Sequence, residues 1–219
     1  MATMATIDDA TRLAAFNASI DCMRYTPPYN VRAWYPYPPK PDEAIGRLEE
    51  YVAGHQGGPS FRVPPLMRPF YRVSGGWLLD WVCESPSPVD GRPPTGYSRL
   101  SSLTQICLPT DEDEQEVPLY EGYHRLDEAG GGQEVALQFH RGVDEPALYL
   151  HDVPSDLYHP LALDVPAYID LLLQCRALQP WQQFFITTPG FRVADETARA
   201  FFDSLARLFP DADPAPFRR

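Results

Sequence analysis

The sequence predicts an α+β fold: N-terminal helices, a central antiparallel sheet, then C-terminal helices. Three observations carry that expectation. Apolar residues recur at helical spacing before position 55 and again after position 164. Between positions 77 and 150 short apolar or alternating runs are separated by glycine- and proline-rich turns. The two patterns are segregated along the chain rather than alternating as βαβ units, and no internal repeat or domain break interrupts them. A single domain over residues 1–219 is therefore expected.

The elements follow in order. Thr6, with Asp9 three residues on, reads as a helix N-cap, and Leu13, Phe16, Ile20 and Met23 form the apolar stripe behind it. That helix must stop before Pro27-Pro28, because proline lacks an amide donor and restricts its predecessor. Residues 24–41 form a proline-aromatic connector, extended and partly polyproline II. It is expected either to serve as a ligand for an aromatic groove elsewhere or to lie across its own domain, burying Trp34, Tyr35 and Tyr37. A second helix spans Asp42 to His55, with Ile45, Leu48 and Val52 inward and acids at its positive end. Pro64-Pro65 open a short helix that Gly75-Gly76 stop.

Trp77–Cys83, bounded by glycine and proline, reads as a buried strand. Further strands are expected near Ser98–Leu108, near Pro118–Arg125 and at Ala147–Leu150. Another is expected where Val135, Leu137 and Phe139 alternate with Ala136, Gln138 and His140. Gly130–Gly132 is expected to be a loop between strands. Asp164 caps the next helix, with Ile169, Leu172 and Leu173 inward. WQQFFITT, residues 181–188, continues the apolar run as helix or strand; its period does not decide. Asp195 opens a last helix with Ala198, Phe201, Phe202, Leu205 and Leu208 inward. Residues 210–219 are expected to form a flexible tail.

Composition removes some functions. Eighteen Lys and Arg face 30 Asp and Glu, a formal net charge of −12, and Lys40 is the only lysine. Nucleic acid is bound largely by basic side chains that release counterions, so it is not the expected ligand. A partner with a basic surface fits better, although acidity also keeps an ordinary protein soluble. Met1–Asp9 has neither the basic nor the apolar region of a secretory signal, and no apolar run reaches about 18 residues, so no membrane span is expected. Cys22, Cys83, Cys107 and Cys175 are scattered with no CxxC pair. They read as reduced core thiols of a cytoplasmic protein rather than zinc ligands.

Catalytic signatures are missing. The chain has no Walker A loop, HExxH, GxSxG or GxGxxG, and Gly130–Gly132 lacks the strand–helix context of a phosphate cradle. No catalytic residue, cofactor or metal is assigned, and the chain is not expected to be an enzyme. Among His55, His124, His140, His151 and His159, only His140 and His151, with Asp152, could approach across neighbouring strands to bind a metal or move protons. Surface or interface histidines are the plainer account. The densest charge lies at Asp111, Glu112, Asp113, Glu114 and Glu116, a solvated loop by its self-repulsion. It either solubilises the chain or draws in a basic partner, with neighbouring aromatic residues as buried anchors.

RLEEY at 47–51, VPPLMRPFYRVSGGWLLDW at 63–81 and LALDVPAYIDLLLQCRALQPWQQFF at 161–185 together resemble the SUKH superfamily. The similarity covers most of residues 42–188 and lies mainly in core positions. Gly75, Gly76 and Trp77, followed by Trp81, are its clearest match and have a structural role there. The connector before Asp42 and the helix after Asp195 go beyond the common core. The resemblance implies an α+β fold and, as in many bacterial members, an immunity protein that binds and neutralises a cognate toxin, often a nuclease, in competition between bacteria. Other members are fungal cell-wall-assembly regulators, which implies as an alternative a protein-interaction module without a toxin. Neither group supplies a catalytic motif; an unrecognised enzyme stays as the third reading.

Overall fold

A computed structural model describes residues 9–55, 61–108 and 118–218. The chain runs α1 (Asp9–Tyr25), β1 (Tyr29–Pro36), α2 (Asp42–His55), α3 (Arg68–Val73), β2 (Trp77–Cys83), β3 (Thr95–Leu100) and α4 (Leu103–Cys107). It continues through β4 (His124–Gly130), β5 (Gln133–Gln138), β6 (Ala147–Asp152), β7 (Leu157–Pro160), α5 (Val165–Cys175) and α6 (Asp195–Leu208). Short 3₁₀ turns occupy Trp181–Phe185 and Ala215–Phe217. The strands form one seven-stranded antiparallel meander in the order β1 to β7, flanked by helices from both ends of the chain. The expected α+β architecture is the observed one.

Register assigns the faces, because directly paired residues point the same way. Trp34, Leu79 and Ser98 form one inward row; Leu100, Asp127, Val135, Leu150 and His159 form another. The helices bury their apolar sides against this face. Phe16 of α1 and Phe70 of α3 meet the Trp77 ring, and Phe209, after α6, meets Trp81. Trp77 and Trp81 are fully buried. The Trp81 indole N–H donates to the Arg176 carbonyl at 2.8 Å, tying β2 to the end of α5. Buried Glu49 on α2 pairs with Arg68 of α3 and accepts the Val63 amide at 2.9 Å.

Several expectations need correction. Of the two expectations for the connector, the one that keeps it on its own domain holds, but as sheet rather than polyproline II: residues 29–36 are β1, the edge strand beside β2. Its prolines cluster at the ends, so NVRAWY keeps the amides needed for pairing, and an edge strand tolerates Pro36. Trp34 faces inward, where its ring meets Phe16 and Trp77, but Tyr35 is 61% exposed on the other face. The Gly75-Gly76 pair does more than stop a helix. Ser74 caps α3, and a Cβ on Gly75 would sit 2.2 Å from the Pro38 carbonyl oxygen. Gly76 has φ +96° and an equally close approach to Leu100, so both positions need glycine.

Residues 103–107 are helix α4 rather than strand, because Ser102 and Gln105 form a reciprocal capping box. The strand expected near Pro118 starts at His124, since Pro118–Gly122 turns instead, with Gly122 at φ +84°. β7, the four residues Leu157–Pro160, was not expected. Within the 181–188 segment Trp181–Phe185 is a 3₁₀ turn, followed by a bridge between Ile186 and Leu161. The tail is docked rather than flexible: Phe217 is 1% exposed among Trp181, Phe184, Phe185 and Phe201. Cys22 is exposed, unlike the three buried thiols; all four are unpaired. Thr6 and its cap lie outside the described residues.

Candidate partner-binding face

The acidic residues Asp111, Glu112, Asp113, Glu114 and Glu116 lie outside the described residues; the segment joins α4 to the turn before β4. The described surface that stands out is the outer face of the sheet. One row there crosses all seven strands: Tyr35, Leu78, Arg99, Glu128, Glu134, His151 and Tyr158. Beside it runs Arg125, Ala136, Tyr149 and Pro160. Glu128 and Glu134 are direct cross-strand neighbours and repel, a cost offset by flanking cations. Arg99 lies 3.7 Å from Glu128, and Arg125 lies 3.1 Å from Glu134. The Tyr97 hydroxyl donates to Glu128 at 3.1 Å; burial first, then this carboxylate, push the phenol up to about 12.

At the β6–β7 end the face becomes aromatic. Tyr158 lies between two parallel rings, Tyr123 at 3.8 Å and His151 at 4.0 Å, and Tyr149 meets Tyr123 edge-on at 5.1 Å. Tyr123 enters from the lead into β4, and its ring reaches Tyr149 of β6 and Tyr158 of β7; Ala136 on β5 is buried although it points outward. His151 stands 3.9 Å from Glu134 and 3.1 Å from Asp156. Burial raises the Tyr158 phenol above its ordinary range, with the Asp156 charge adding to it. Phenol hydroxyls, carboxylates and arginines alternating on a rigid sheet offer both donors and acceptors to a macromolecular surface.

The histidine pair does not converge. His151 lies opposite Glu134 near one end of the β5–β6 ladder, and His140 lies two residues beyond Gln138 at the other end. His159 faces inward and bonds Thr188 at 3.0 Å, His55 stacks on Tyr51, and His124 is buried against Phe139, burial lowering its pKa. Among the described residues no three His, Cys, Asp or Glu side chains group as a metal ion would need. No described helix is long and apolar enough to cross a membrane. A crevice of 350 Å³ between the β2–β3 loop and α6 is lined by Asp90, Arg92, Gln179, Glu196, Thr197 and Ser204 among others, without histidine or cysteine.

Beneath the sheet lies a polar chain. The Trp77 indole donates to Ser98 Oγ at 3.1 Å, Ser98 donates to Asp127 at 2.8 Å, and the Tyr168 hydroxyl donates to the other Asp127 oxygen at 2.6 Å. Burial pushes the Asp127 carboxyl up to about 7, against the lowering effect of Tyr168, Ser98 and the Arg99 amide. Asp127 is fully enclosed, so this chain joins β2, β3, β4 and α5 rather than serving a substrate. Trp77 therefore has a bonding role as well as a packing one.

The aromatic stack and the Asp127 chain were not anticipated from the sequence. The signals were slight: Tyr149 and His151 lie two apart in one strand, and Asp127, beside Glu128 between Leu126 and Ala129, carries no local mark of burial. No protein-family model, curated protein or solved structure matches the chain.

Proposed function

We propose that this chain is an immunity-type protein that binds a cognate bacterial toxin and occludes its active surface. One observation carries the partner-binding part. An antiparallel sheet open to water on one side is ordinary. This one, however, presents Tyr35, Tyr97, Tyr149 and Tyr158 with Arg32, Arg99 and Arg125, the residue types that dominate binding hot spots. The acid excess, a formal −12, favours a basic partner such as a nuclease. The toxin part rests on the SUKH resemblance in the core segments.

The test is co-expression with the product of the adjacent gene, where that gene encodes a large secreted or modular toxin. A stoichiometric complex and protection of cells expressing the toxin are expected. Failure to form a complex and to protect would sink the proposal.

A further inference from the structure

The two halves of the outer face differ. Near β1–β3 the tyrosines are separate and the charges pair locally. Near β4–β7 three rings are already stacked, with their lost rotamer freedom paid in folding rather than in binding. At the β6–β7 turn beside the stack Val153 is 46% exposed, whereas Leu157, paired with Asp152, lies on the opposite face of the sheet from Tyr158. Asp156, in the left-handed region at φ +53°, bonds His151 from the hairpin while its side chain remains 86% exposed. Glu134 stands on the other side of His151, answered by Arg125.

We propose that this β4–β7 half is the docking surface for a basic protein partner, and that an arginine of the partner seats at the His151 end of the Tyr123–Tyr158–His151 stack and pairs with Asp156. A guanidinium suits the site because it stacks on aromatic faces and forms planar bonds to carboxylates, which an ammonium does less well. A second copy of this chain would bring Glu134 and Asp156 against their own duplicates, in a molecule already at −12. The inference rests on the partner-binding function above and specifies where that partner sits.

The probe is an acetylated, amidated tetra-arginine peptide titrated into the isotope-labelled full chain, with tetra-lysine as comparator. Shifts should centre on the amides of residues 149–158. Asp156→Asn, at a position too exposed to unfold the chain, and Tyr158→Ala should each weaken binding about fivefold. Tyr158→Phe, which keeps the stack, should bind as the parent does. No binding, shifts centred around residues 108–118, or equal affinity for tetra-lysine would overturn the site. The adjacent gene product separates this from the functional proposal. Capture by parent, Asp156→Asn and Tyr158→Ala chains alike overturns the docking surface and leaves the immunity function standing. Capture by none of them sinks that function, while the peptide titration still decides the site.

Discussion

Asp127 is enclosed completely, and its carboxyl is held by the Ser98 and Tyr168 hydroxyls and the Arg99 amide rather than by a salt bridge. Burial of an unpaired carboxylate is costly, and hydroxyl donors only partly offset it. The folded protein therefore binds a proton there more tightly than the unfolded chain, whose ordinary value is 3.8, because the folded value is about 7. The sign follows: this contribution to stability is full below pH 4 and declines as the pH rises through 7. Asp127→Asn mimics the protonated acid and removes that slope. Urea unfolding at pH 5 and pH 8 should show the parent losing on the order of 2–4 kcal/mol more than the variant between the two conditions. Parallel losses would mean that Asp127 titrates normally and that the polar chain carries no charge penalty.

Among the elements, those with local signals were legible. α2 and α5 carry an apolar stripe together with their start signals, the Asp42–Glu43 first turn and the Asp164 cap, all within a few residues. β2 was legible from its bounded apolar run. The elements that were missed depend on partners distant in sequence. β1 looks like a proline-rich linker until β2 supplies its register, and β7 is four residues that only β6 defines. α4 is five residues long, so its apolar content is equally that of a strand; the Ser102–Gln105 box was the local clue. The tail shows the same physics. Nothing in DADPAPFRR suggests order, yet Phe217 fills the space between α6 and the 181–185 turn. Phe217→Ala should cost about 3–5 kcal/mol in chemical unfolding, as for other buried phenylalanines. Truncation after residue 209 should cost a similar amount, and an unchanged melting temperature in the truncated chain would show that the tail contributes nothing to the core.

For the whole molecule, charge and shape make separable contributions to recognition. The candidate face was largely hidden from sequence, because tyrosines at 123, 149 and 158 are unrelated until the meander brings the lead into β4 and strands β6 and β7 onto one face. The charge was legible at once, since Asp111–Glu116 is dense wherever it lies. Long-range attraction acts before contact and so raises the association rate, whereas desolvated anchors act after contact and lengthen the complex's life. Neutralising Asp111, Glu112, Asp113 and Glu114 should therefore slow association with the adjacent gene product about tenfold at low salt, flatten its salt dependence and leave dissociation nearly unchanged. Tyr158→Ala should do the reverse, speeding dissociation with little change in the on-rate. Surface plasmon resonance at two ionic strengths distinguishes them. If the variant lacking those acids instead altered only dissociation, they would be contact residues at the interface centre, and the sheet face would lose its claim to be the anchor.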